Sequence, residues 1–175
     1  MVILVNENDE QIGTMPKLEA HEKALLHRAF SVFIFNSKRE VLMQQRAKNK
    51  YHSGSLWTNT CCSHPFPGED TLVAANRRLM EEMGIKASLD YVFKFQYKAG
   101  FDNELTEHEI DHVFVGKSDE IPSINSDEVA SYKYMTIHEI QQDIARFPKN
   151  YTVWFRIIFA ESLHRLSTHQ FVNFA

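Results

Sequence analysis

The stretch Asp70-Thr71-Leu72-Val73-Ala74-Ala75-Asn76-Arg77-Arg78-Leu79-Met80-Glu81-Glu82-Met83-Gly84-Ile85 governs how the rest of the chain is read. Leu72, Ala75, Leu79 and Met83 recur at intervals of three and four, so they form one apolar stripe of a helix over Thr71 to Met83. Asp70 stands where a side chain can cap the N-terminus, and Gly84 where a left-handed residue ends the helix. Arg77 with Glu81, and Arg78 with Glu82, are one turn apart, pairs that any exposed helix can carry for about 0.3 kcal/mol each. Alone, this helix reads as solvated scaffold as readily as functional element.

Just upstream, Pro65-Phe66-Pro67-Gly68 forbids helix before Glu69 or Asp70. Further back, the pattern predicts a hairpin from Val2–Val5 and Gln11–Thr14, another from Ala29–Phe35 and Val41–Gln45, a loop over Lys48–Ser55 and a strand over Trp57–Cys62. Downstream come strands at Leu89–Tyr97, Glu107–Val115 and Ser131–Met135. Helices follow at Ile137–Arg146, capped by Thr136, and at Thr152–Leu166 after Pro148. Strands interleaved with helices, without repeats or a Pro/Gly/Ser linker, predict one α+β domain over residues 1–175.

At 175 residues the chain is long enough for one sizeable core. Hydrophobic residues make up 43% and charged residues 24%, ordinary globular usage, and thirteen Phe with six Tyr suggest a core or pocket built from rings. A net charge of -4 argues against a general electrostatic grip on nucleic acid. The two cysteines are adjacent, which is too close for an ordinary disulfide, so a reducing, cytoplasmic setting is expected. The N-terminus has no basic n-region, and no apolar run nears the ~20 residues of a membrane span.

The chemistry gathers in Trp57-Thr58-Asn59-Thr60-Cys61-Cys62-Ser63-His64-Pro65 and in Glu107-His108-Glu109. In an extended segment Cys62 and His64 point one way while Cys61 and Ser63 point the other, and Glu107 and Glu109 share a face. With His21 and His27 upstream, three neutral imidazoles and two carboxylates would balance a divalent cation. That is a metal site with an acid and a thiol beside it.

The end of the opening stretch resembles the Nudix box, with Glu69 on its early glutamate, Ser63 in place of its first glycine and Arg78 in place of a metal-binding glutamate. An arginine there argues against a standard hydrolase centre. The ordered set Trp57-Thr58-Asn59, Cys62-Ser63-His64-Pro65, Arg78-x-x-x-Glu82-x-Gly84, Tyr97 and Glu107-x-Glu109 is similar to the type 1 isopentenyl-diphosphate isomerase family, from about Val2 to beyond Trp154. The resemblance implies a Nudix-like α/β/α scaffold, mixed β-sheets flanked by helices.

It further implies isomerisation of isopentenyl diphosphate to dimethylallyl diphosphate by protonation and deprotonation through a tertiary carbocation. Cys62 and Glu109 would be the acid-base pair, Tyr97 would lie beside them and Trp154 would face the cation. His21, His27, His64, Glu107 and Glu109 would hold Mg²⁺ or Mn²⁺, with Zn²⁺ a further candidate, and Glu82 a Mg²⁺ that arrives with the substrate. Lys17, Arg46, Lys50 and Arg78 would bind the diphosphate. A monomer or weak homodimer is expected, with no nucleic-acid partner. The competing readings are a Nudix hydrolase of a nucleoside or prenyl diphosphate, and a non-catalytic metal-binding domain on the same fold.

Overall fold

The computed structural model describes residues 1–50, 52–101 and 105–168, with side chains described through residue 162; the expected domain end at residue 175 lies outside this range. The elements in chain order are β1 (Val2–Val5), β2 (Gln11–Met15), α1 (Lys17–Glu22), β3 (His27–Phe35), β4 (Glu40–Arg46), β5 (Trp57–Thr58), β6 (Cys61–Ser63) and α2 (Thr71–Met83). Then come β7 (Leu89–Gly100), β8 (Thr106–Lys117), β9 (Val129–Thr136), α3 (Ile137–Arg146), a short 3-10 turn at Pro148–Asn150 and α4 (Val153–Thr168).

The strand β3 is the hub of the mixed sheet, pairing with β1, β4 and β6 antiparallel and with β8 in parallel. Its sequence HRAFSVFIF is buried along nearly its whole length, as a strand covered on both faces must be. On one face Phe30, Val32 and Ile34 pack with Leu79 and Met83 of α2. On the other, Phe33 and Phe35 pack with Trp154, Phe155 and Ile158 of α4. A sheet between helices is the expected architecture. α2 begins and ends where the sequence predicts: Asp70 accepts from the amides of Leu72 and Val73, and Gly84 is left-handed at φ 66°.

Three expectations need correction. The single strand over Trp57–Cys62 is two, β5 on β4 and β6 on β3. The chain crosses between partners at Asn59 and Thr60, whose side chains replace ladder bonds: Asn59 donates to the Val32 and Cys61 carbonyls, and Thr60 Oγ1 donates to the Leu42 carbonyl and accepts from the Ile34 amide. Leu72 is exposed rather than part of the α2 stripe, its place being taken by Ala74 and Glu82. Finally, α1 was not predicted, since six residues after Pro16 with no side-chain cap leave too little periodicity to read.

Candidate active site

β8 supplies the acidic wall. Successive alternate residues share one face of a strand, so Glu107, Glu109 and Asp111 point together into one cavity, all nearly buried. β7 runs antiparallel beside it with Tyr97 directly across from Glu109. The Tyr97 hydroxyl lies 2.9 Å from Glu107 and 2.7 Å from Glu109. One hydroxyl carries one proton, so it cannot donate to both. Glu109 is the nearer acceptor, and burial with the neighbouring Glu109 charge pushes the Glu107 carboxyl well up.

Three histidines converge on the same carboxylate: His21 from α1, His27 from the start of β3 and His64 just past β6. Their Nε2 atoms lie 3.9, 3.3 and 3.0 Å from Glu109 Oε1. The parallel register that places His27 opposite Glu109 makes this meeting possible. Burial holds the His21 and His64 imidazoles neutral, down to about 3, with the Lys17 charge adding to the effect. Burial would raise Glu109, yet the His27 and His64 rings set against it hold it well below the usual carboxylate range.

These four residues fit a metal ion on their own chemistry. His27 Nδ1 lies 2.8 Å from the Leu25 carbonyl and must donate to it, which leaves the Nε2 lone pair facing both Glu109 and His21 Nε2 at 3.3 Å. Lone pairs aimed at one another call for a cation between them. The four ligand atoms all lie within 4.8 Å of one another. Glu107 is not in this group; it stands beside it through Tyr97, and Glu82 lies in a separate part of the cavity with Arg78 and Gln44.

β6 and β8 occupy the two edges of β3, so Cys62 and Glu109 approach the cavity from opposite sides of that strand. The cysteines separate as alternation predicts: Cys61 is buried in the cluster under α2, and Cys62 lines the cavity. Ser63 departs from the alternation and lines the cavity with Cys62 and His64, because β6 ends there. Burial, aided by nearby Glu82, Glu107 and Asp111, pushes the Cys62 thiol up to about 12 against the pull of Arg46. It is a protonated thiol at neutral pH.

Trp154 is 3% exposed and serves both readings, packing in the α4 core while its ring borders the cavity. The Arg46 guanidinium stands 4.9 Å from its centroid, and His52 meets it edge-on at 5.7 Å. Lys17 and Arg46 line the cavity from the acid-base end to the cationic end, where Lys50 and Arg78 join them. All four expected cations therefore border one continuous space. Glu69, by contrast, is spent on Arg77, accepting two bonds of 2.7 and 2.8 Å.

Sequence reasoning missed His52, Asp111, Ser31 and Glu128. His52 sits in the loop after β4, where no periodicity marks a residue as inward-facing. It is nonetheless buried, 3.7 Å from Glu107 and stacked on Phe101 at 4.8 Å. Asp111 was legible as the next residue on the Glu107, Glu109 face; its Oδ2 accepts from Ser31 at 2.8 Å.

The NUDIX domain model matches residues 25–155. Among known proteins, the isopentenyl-diphosphate Delta-isomerase of Pectobacterium atrosepticum is 55% identical over 91% of this chain and 89% of its own length. The Serratia proteamaculans enzyme of the same name is 48% identical, over 90% and 88%. Among solved structures, a Deinococcus radiodurans protein superposes with a TM-score of 0.69 at 20% identity, over 83% of this chain and 88% of that one. The MutT protein of Methanosarcina mazei does so at 0.67 and 20%, over 82% and 96%. These two likenesses bear on the fold alone. With a domain model spanning most of its length and relatives this close over nine-tenths of it, the chain belongs to the isopentenyl-diphosphate Delta-isomerase family of NUDIX-domain proteins.

Proposed function

We propose that this enzyme, which isomerises isopentenyl diphosphate to dimethylallyl diphosphate, does so with Cys62 and Glu109 as its acid-base pair. The observation that carries the reading is their placement on opposite edges of β3, facing a cavity that Trp154 also lines and that shares Lys17 and Arg46 with the adjoining cleft of Lys50 and Arg78. The double bond is unactivated, so a proton must be added at one carbon before another is lost two carbons away. Cys62, a protonated thiol, is in the form of a donor, and Glu109, a carboxylate held ionised, is in the form of an acceptor. Tyr97 and Glu107 tune Glu109 by adding or withdrawing a hydrogen bond as its charge changes.

The intermediate is a tertiary carbocation, and the Trp154 face offers it up to about 2 kcal/mol of cation-π attraction in a desolvated site. The diphosphate is held by Lys17, Arg46, Lys50 and Arg78. His21, His27, His64 and Glu109 would hold the divalent ion, with Glu107 beside them, and Glu82 would take a Mg²⁺ that accompanies the diphosphate. A bound divalent ion supplies positive charge that keeps both carboxylates ionised. Three imidazoles with carboxylate oxygen suit Mn²⁺ or Zn²⁺ as well as Mg²⁺.

Incubation with isopentenyl diphosphate and Mg²⁺ in D₂O, followed by NMR, should yield deuterated dimethylallyl diphosphate and no inorganic phosphate. Chelation should abolish the conversion and Mg²⁺ or Mn²⁺ should restore it. Phosphate release without allylic product would instead identify a hydrolase.

A further inference from the structure

We propose that Glu128 is an internal counter-anion that occupies the diphosphate-binding cations and must be displaced before substrate can bind. The proposal rests on the reading of Lys50 and Arg78 as diphosphate ligands. Glu128 immediately precedes β9 and its backbone is fixed, its amide donating to the Asn125 carbonyl at 3.0 Å and its carbonyl accepting from the Ala47 amide at 2.9 Å. From that anchor the carboxylate spans two cations. One oxygen accepts from Lys50 Nζ, and the other lies 3.2 Å from Arg78 Nη2.

Arg78 is already surrounded by carboxylates. Besides Glu128 it donates to Glu81 at 2.9 Å and to Glu82 at 2.6 Å. Glu82 and Glu128 share its Nη2, so an anion that binds there must replace one of them. Glu82 is 4% exposed and its second oxygen accepts from Gln44 at 2.9 Å, so moving it would leave one N–H of a buried amide unpaired. Glu81 is on the exposed side of α2 and does not line the cavity. Glu82 and Glu128 both line it beside Lys17 and Arg46, and of the two Glu128 is the one with room to leave, its side chain 23% exposed against 6% for Glu82.

Any anion that binds Lys50 and Arg78 must first replace the Glu128 carboxylate on both of them, so Glu128 raises the threshold for anion binding at this end of the cavity.

The test is calorimetric titration of the metal-loaded enzyme with inorganic pyrophosphate and, separately, inorganic phosphate. Glu128→Gln removes the competing charge and should bind pyrophosphate about fivefold more tightly, the order expected from the loss of its two partly exposed ion pairs. Its affinity for phosphate should rise as well. Glu128→Ala should change both affinities in the same direction, and covers the case in which the glutamine variant folds poorly. Unchanged or weaker pyrophosphate binding in the folded variants would overturn the proposal and make Glu128 a residue that positions the cations. Lys50→Gln with Glu128 intact tests the underlying reading: weaker pyrophosphate binding there supports it, and unchanged binding would remove both the diphosphate site and the proposal built on it.

Discussion

Cys61 and Cys62 are chemically identical neighbours with different surroundings, and strand alternation alone separates them. Cys62→Ala should abolish turnover while Cys61→Ala keeps most of it, apart from a cavity cost to stability; the comparison is made by rate and thermal unfolding on both variants. Trp154 poses a sharper question because it is both core and cavity wall. Phe keeps a π-face and Leu keeps only bulk. At matched stability Trp154→Phe should retain far more kcat than Trp154→Leu, since ~2 kcal/mol of cation stabilisation corresponds to roughly 30-fold in rate. Period-two spacing aims Glu107 with Glu109, and Cys62 with His64, from the sequence alone, whereas Tyr97, Trp154 and the four cations were reached only through the family resemblance. His52 was not legible, since a loop residue's direction is set by contacts with Phe101 and Trp154 from distant elements.

Among elements, those with their own punctuation were read most accurately. α2 carries Asp70 at one end and Gly84 at the other, and α3 carries Thr136 with Glu139 in a reciprocal capping box. Asp70→Ala should cost about 1 kcal/mol, because the carboxylate that accepts from the Leu72 and Val73 amides is lost. Gly84→Ala should cost more, because a Cβ there would lie 2.6 Å from the Ser123 carbonyl oxygen in addition to the left-handed strain. Denaturant unfolding of both variants gives the ranking, and an Asp70 change more costly than the Gly84 change would contradict the close approach. The break between β5 and β6 escaped the sequence because side-chain bonds from Asn59 and Thr60 carry the chain from one partner strand to another, and no local pattern encodes a change of partner.

For the molecule as a whole, His21, His52 and His64 are held neutral by burial, each down to about 3. Their ordinary value is 6.5, so between these limits the unfolded chain binds protons that the metal-free folded chain refuses. Stability of the metal-free protein should therefore fall as pH drops from about 6.5 towards 3, with Tm measured across the series and His52→Phe showing a shallower slope. The raised Glu107 and Asp111 carboxyls act in the opposite sense, so the decisive comparison is with His52→Phe, and an unchanged slope there would mean that the His52 ring accepts a proton while folded. The parallel pairing of β3 with β8 joins residues such as Ser31 and Asp111 that are 80 positions apart. Loop-closure entropy opposes such a pairing until much of the chain between is in place, so it is a late and slow event during refolding. His27 and Glu109 meet only when it occurs. In a stopped-flow experiment, metal capture should lag behind helix formation and keep time with the slowest phase of the chain's collapse, which makes the ion a reporter of completed topology rather than a seed for it.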